Sequence, residues 1–386
     1  MANVLSNLAA DIYKAADVVG RELVGVIPSA TINAGVEAAA QGDTVRSHFT
    51  RSATVGTITP SMTIPEGTDQ TVDNKTMTLS TTASVQIPWT GEDMKHVNNG
   101  SGFETIYGDQ IRQAMRAITN QIESQMAADI YKNASRAFGV AGTTPFGTDF
   151  KAVASIRQIL VDNGMADDGR TTLVLNSLAG TNLRNLASLQ SANTAGGTEL
   201  LRRGTLLDLQ GLMIKESAGI AAHTKGTNAA AGTTNAAGYA IGTTSITLAA
   251  IGAGTIVAGD VITFAGDTHN YIVAVGDTDV SDGGTILIGA PGLRQAIPAA
   301  ATAYTLGASY TGNIAFHQGA VELGMRPMAQ PNGGDAAVDR MTVQDPFSGL
   351  VFEIAAYKGF NKAMFNVSCL YGFKTWKPEN VAVLLG

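Results

Sequence analysis

From Phe365 the chain alternates sides. Phe365, Val367, Cys369, Tyr371 and Phe373 fall on one face of an extended backbone, with Asn366 and Ser368 on the other. A period of two predicts a half-buried strand. The closing run 381–385 is wholly apolar and reads as a last strand. The same alternation occurs earlier, where Met77, Leu79, Ala83, Val85 and Ile87 interleave with Thr76, Thr78, Ser80, Thr82, Ser84 and Gln86. This is the second arm of a long hairpin over 45–87; the first arm, 45–59, is less regular. The tip, Pro65-Glu66-Gly67-Thr68-Asp69, has good turn chemistry. A two-stranded ribbon is marginal alone and must lie on other structure, either its own sheet or a neighbouring molecule.

Helical periods are equally plain. Ile111, Met115, Ile118, Ile122, Met126 and Ile130 recur at steps of three and four, predicting one long amphipathic helix over 107–136. Asp109, Arg112, Arg116, Asn120, Glu123 and Asp129 fall on its other faces. Near the N-terminus Leu5, Leu8, Ile12, Ala15 and Val19 form another apolar stripe, for a helix packed on its own domain unless the resemblance given below makes it an arm that reaches a neighbour. Thr148 and Asp149 are good caps for a third helix with Phe150, Val153, Ile156 and Leu160 inward, and Asn163-Gly164 stops it. Residues 171–175 read as a buried strand and 178–189 as a short helical piece.

Between 219 and 312 the composition shifts. Lysine and arginine shrink to Lys225 and Arg294, while Gly, Ala, Thr and Asp dominate. Short β-rich runs at 245–248, 261–264, 271–275 and 285–288, separated by Gly or Asp turns, predict a small barrel or sandwich. A β module can interrupt a parent domain when its own ends lie together.

Composition narrows the classes. Hydrophobic residues make up 45% of the 386-residue chain and charged residues 15%, with 44 glycines, which suits a globular protein of two or three domains rich in turns and strands. A formal net charge of -7 and no Lys/Arg-rich stripe argue against a protein that grips nucleic acid by its phosphates. Residues 1–20 lack a basic leading region, and Asp11, Lys14 and Asp17 interrupt their apolar run, so they do not read as a secretory signal. The uncharged run 239–259 is rich in Gly and Thr and reads as strands and turns, not as a membrane span.

The order of these elements carries a resemblance. A strand with Tyr371-Gly372, then Lys377-Pro378-Glu379 and a closing strand, resembles the C-terminus of tailed-bacteriophage major capsid (coat) proteins. Arg203-Gly204-Thr205-Leu206 followed by Gly211-Leu212 is similar to a segment of the same family, and 259–266 (Gly-Asp-Val-Ile-Thr-Phe-Ala-Gly) to the inserted domain of its P-22-type branch. The resemblance implies an α+β fold of HK-97 type. Its parts would be an N-terminal arm (1–44), an extended loop (45–88) and a peripheral domain with a long spine helix (89–140). An axial domain (141–218) would follow, then the inserted β domain (219–312) and the C-terminal axial and peripheral strands (313–386). It further implies a non-enzymatic subunit forming hexamers and pentamers of an icosahedral shell, assembled in the bacterial host cytoplasm with scaffolding protein and portal. The virion capsid would enclose double-stranded DNA without sequence-specific binding and without a membrane. The alternatives are another self-assembling shell, such as an encapsulin-like nanocompartment, or more distantly a hydrolase.

No residue is assigned a catalytic, cofactor-binding or metal role. His48, His96, His223, His269 and His317 show no metal-ligand spacing, and no nucleophile elbow or phosphate loop occurs. Gly252-Ala253-Gly254 lacks a third glycine in register for a dinucleotide site. Asp277, Asp279 and Asp282 are out of register for an EF-hand and read as an Asx-rich turn. The single cysteine, Cys369, lies on the apolar side of its strand, where a buried inert thiol is expected.

Overall fold

The fourteen-residue strand Lys362–Thr375 is the hub of the fold. One edge pairs antiparallel with Thr81–Thr90, from Lys362↔Thr90 to Tyr371↔Thr81. Val351–Gly359 pairs with its first half and Val321–Arg326 with its second. Ala337–Gln344 and, in parallel, Thr31–Ala34 extend the sheet at either end. The computed structural model describes residues 22–35, 37–50, 57–64, 72–98, 103–190, 208–228, 232–250, 252–345 and 348–386. The helix expected over 5–19, the turn at 65–69 and the segment 203–206 lie outside them.

The hub strand departs from the half-buried expectation. Phe365, Val367, Cys369 and Tyr371 are buried as the alternation requires, yet Ser368 and Leu370 are buried too. The second face is covered by the base of the ribbon. A Cβ at Gly372 would stand 2.2 Å from the Thr78 carbonyl oxygen, so only glycine lets the two backbones approach this closely.

The hairpin arm is two strands rather than one. Thr44–Thr50 pairs with Val72–Thr78 as a separate two-stranded ribbon, and Thr81–Thr90 then leaves it for the hub. Hydrogen bonds from the Leu79 amide to the Asp43 carbonyl and from the Gly42 amide to the Leu79 carbonyl clamp the crossing point. Met77 and Leu79 are fully buried there, which anchors the ribbon by its base. The expected boundary at 88/89 therefore falls inside a strand.

The long helix spans Phe103–Lys132, about 45 Å at 1.5 Å per residue. All six stripe residues from Ile111 to Ile130 are buried. The buried face is wider than the stripe, because Thr119, Glu123 and Ala127 form a second buried row beside it. Two of the residues expected on the helix's other faces, Arg112 and Glu123, are therefore buried as well. Polar side chains fasten the helix to the hub sheet: the Trp89 indole donates to Gln110 (2.8 Å), the Tyr371 hydroxyl to Gln125 (2.8 Å) and the Thr375 hydroxyl to Asp129 (3.2 Å).

A second sheet begins with Met213–Glu216, Thr171–Leu175, Tyr310–His317, Val381–Leu385 and Arg136–Phe138. Helix Lys151–Asp162 packs Val153, Ile156 and Leu160 into it with Ser177–Asn185, around a core distinct from that of the long helix. The sheet then continues into the 219–312 region, because Asn270–Val275 pairs with Arg136–Phe138. Strands Ser245–Thr247, Val261–Phe264, Asn270–Val275 and Thr285–Ile288 match the expected runs, and Tyr304–Leu306 adds a further one. They enclose their own cluster, including Ile246, Ile262, Phe264, Tyr271, Val273 and Ile286. Val261 and Ile272, on the opposite faces of the same strands, belong to the main core. The two stems meet where His223 pairs with Tyr310, and Tyr310–His317 runs across the expected boundary at 312/313.

Candidate functional site

The chemistry-bearing side chains do not converge. The buried His223 meets Asp260 at 2.8 Å, His269 meets Asp267 at 2.6 Å, and His317 meets Asp168 at 3.0 Å, each in a different part of the fold. Burial pushes the Cys369 thiol up to about 12, so it is a poor nucleophile at neutral pH. The 277–284 segment is a set of Asx turns: Asp277 accepts from the Asp279 amide, and Asp279 from the amide and hydroxyl of Ser281. Gly283 closes the loop at φ +83°. Among the described residues no helix is long and apolar enough to cross a membrane.

The surfaces are more informative. Beyond the ribbon strand Thr44–Thr50, the loop at 57–64 carries Ile58, Met62 and Ile64, each at least 94% exposed. Three large apolar side chains so close in sequence stand in water, outside the subunit's own cores. Burying each would contribute roughly 1.5–3 kcal/mol. An apolar groove of about 500 Å³ runs between Thr81–Thr90 and the long helix, floored by Val85, Ile87, Pro88, Ala114 and Ala117.

The chain before the first strand is strapped to the long helix by a buried carboxylate. Glu123 Oε1 accepts from the amides of Gly25 and Val26 (both 2.8 Å) and from the Ser217 hydroxyl (2.6 Å), while Oε2 accepts from the Ile27 amide (2.9 Å). Three successive amides converging on one carboxylate make a nest around its two oxygens. Nothing in the helical spacing announces this role, because glutamate is ordinarily a solvated residue. The widened buried face, with small Thr119 and Ala127 one turn to either side, is the only hint the sequence holds.

Two turns earlier on the helix, Arg116 pairs with Glu22 (Nε to Oε2, 2.6 Å). The Arg116 guanidinium, with Asn120 beside it, holds the Glu22 carboxyl down from 4.5 to about 2. A depressed carboxyl contributes stability that is complete above its ordinary pKa and is lost as the pH falls through the folded one. Wild type should therefore exceed Arg116→Met in urea-melt stability at pH 6, with the gap closing between pH 4.5 and 2. A gap that does not change with pH contradicts the pairing.

At the neck of the 219–312 region the Tyr131 ring is wedged between two glycines. A Cβ at Gly259 would lie 2.8 Å from it and one at Gly312 3.4 Å. The Tyr131 hydroxyl lies 3.3 Å from His223 Nδ1, whose Nε2 meets Asp260, and the Tyr310 hydroxyl donates to the Gly259 carbonyl at 2.7 Å. Asp260 also accepts from the amides of Gly226 and Val257. The long helix, both stems and the inserted strands are thus joined by one satisfied buried network.

No protein-family model matches the chain, and no curated protein matches it. Solved structures do. A chain of the cyanophage P-SCSP1u capsid aligns with a TM-score of 0.50 at 10% identity, over 95% of this chain and 89% of that one. A chain of the mature capsid of bacteriophage PhiM1 gives 0.49 at 11% identity, over 95% and 88%. A chain from Mycobacterium phage Che8 gives 0.46 at 16% identity, over 96% and 90%. At such identities the likeness is one of fold: this chain has a mixed α+β fold of phage-capsid type.

Proposed function

We propose that this chain is the major capsid protein of a tailed double-stranded DNA phage, a structural subunit without enzymatic activity. The observation that carries the reading is the full-length fold likeness to the cyanophage capsid chain, over 95% of these residues. The exposed apolar loop at 57–64 supports it, since a shell subunit has neighbours to cover such a surface. On this reading 1–44 is the arm, 45–88 the extended loop and 89–140 the peripheral domain with Phe103–Lys132 as its spine helix. Residues 141–218 begin the axial domain, 219–312 form the inserted β domain of the P-22-type branch, and 313–386 close the axial and peripheral sheets.

The subunits form hexamers and pentamers, with scaffolding protein and portal as assembly partners, in the host cytoplasm. The finished shell encloses DNA without sequence-specific binding, and a net charge of -7 suits a subunit that must not condense its contents. Sedimentation velocity of the purified protein across concentration and salt tests the reading. Closed assemblies in the megadalton range are expected, and a monomer stable under every condition, scaffolding protein included, overturns it.

A further inference from the structure

Arg136 is a buried cation that makes no ion pair among the described residues. It opens the strand Arg136–Phe138, lodged between Val381–Leu385 and Asn270–Val275, and is 3% exposed. Its Nη2 donates to the Ile159 carbonyl (3.3 Å) and to Asn163 Oδ1 (3.2 Å), both neutral, while Nε is buried with no partner among the described residues. The nearby Asp267 is spent on His269 Nδ1 and the Tyr271 hydroxyl, each at 2.6 Å. Asp162 stands exposed at the rim. Burial first, and then the charge of Arg294, lowers the pKa of Arg136 below the ordinary arginine value. An unpaired buried charge is among the costlier features a fold can hold.

The guanidinium borders a cleft of about 370 Å³ between 136–140, helix Lys151–Asp162 and 268–270, where the body meets the inserted strands. Junctions of this kind are favoured sites for small ligands. Ser155, Gln158 and Asn270 line it with side chains that make no hydrogen bond among the described residues. His269 lines it too, with Nδ1 committed to Asp267 and Nε2 left over.

We propose that this cleft binds an oxyanion of the phosphate class, with Arg136 as the buried anchor and His269 on its wall. The bound anion supplies the missing counter-charge and fastens the inserted strands to the body. A free phosphate ion and a phosphate of a nucleic-acid backbone present the same chemistry.

Thermal melts of the full chain in sodium phosphate, against sodium chloride at matched ionic strength and pH 7, test it. Phosphate should raise the Tm above the chloride control in a saturable way. Arg136→Gln should weaken the apparent affinity about tenfold or more, as expected for loss of a charge-assisted hydrogen bond, and Asp162→Asn should keep or strengthen it. A short DNA duplex that competes with phosphate identifies backbone phosphates as the ligand, and failure to compete identifies the free ion. No increment over chloride in wild type overturns the proposal, as does an increment undiminished in Arg136→Gln. A loss in Asp162→Asn equal to that in Arg136→Gln also overturns it, because Asp162 would then be the counter-ion. If Arg136→Gln does not fold, the double variant His269→Gln/Gln158→Ala must lose the increment, and its full retention has the same consequence.

Discussion

Replacing Ile58, Met62 and Ile64 together by serine is expected to abolish shell assembly while leaving the subunit folded. The three side chains contribute nothing to the subunit's core, since each is at least 94% exposed. The ribbon that carries their loop is held from below, by buried Met77 and Leu79 and by the clamp at Gly42 and Asp43. Removing them costs the folded monomer almost nothing, and serine lowers the apolar area left in water. On the proposed reading the same residues cover a neighbour in the assembly. Losing three buried apolar side chains per contact amounts to roughly 5 kcal/mol or more, repeated at every subunit of a closed shell. Circular dichroism melts should superimpose on wild type while the megadalton peak disappears from sedimentation profiles. Normal shells from the triple variant would mean that the loop folds back on its own subunit.

Phe264→Ala is expected to unfold the 219–312 region and to lower the Tm of the whole chain. Phe264 is almost fully buried, pairs with Tyr304 across its strand and lies 6.0 Å from the Tyr271 ring, centroid to centroid. Truncating such a phenylalanine costs about 3–5 kcal/mol, comparable with the total stability of a small module. The damage should not stay local. Val261 and Ile272 belong to the main core, and Tyr271 pairs with Arg136, so melted inserted strands also uncover the body. Hydrogen exchange should show lost protection at 261–275 and, to a lesser degree, at 136–138. The same seam predicts that the excised 219–312 segment is less stable than the region is in place, because excision removes both the edge pairing and the cover over Val261 and Ile272. Loss of protection confined to 245–306 would show the inserted strands to be uncoupled.

The elements that were legible in the sequence are those whose periodicity reports burial directly. The stripe from Ile111 to Ile130, the run 171–175 and the four inserted strands are placed within a residue or a few by apolar spacing and Gly/Asp punctuation alone. Long-range partners were not legible, because spacing says nothing about what covers a face. Ser368 and Leu370 look like the outward side of a strand, yet both are buried, on the same face as Gly372, where the ribbon base approaches the strand. The break after Thr78 is invisible for the same reason: alternation continues through Leu79, while the pairing partner changes from Thr44–Thr50 to Lys362–Thr375. Glu123 and the His223–Asp260 pair are buried polar groups with distant partners: those of Glu123 lie 94 to 98 residues away, among them backbone amides that leave no mark in a side-chain pattern, and His223 is 37 residues from Asp260. The assembly surface was legible in part. The hairpin was expected to need support from elsewhere, but the exposure of Ile58, Met62 and Ile64 became visible only once the rest of the apolar residues had been accounted for in cores.

Electron microscopy of the purified, natively expressed protein tests the shell assignment most directly. The account predicts closed icosahedral particles whose subunit density fits this fold, with the 57–64 loop seated on an adjacent copy. Fields of dispersed single subunits, unchanged by concentration, salt or added scaffolding protein, would contradict it.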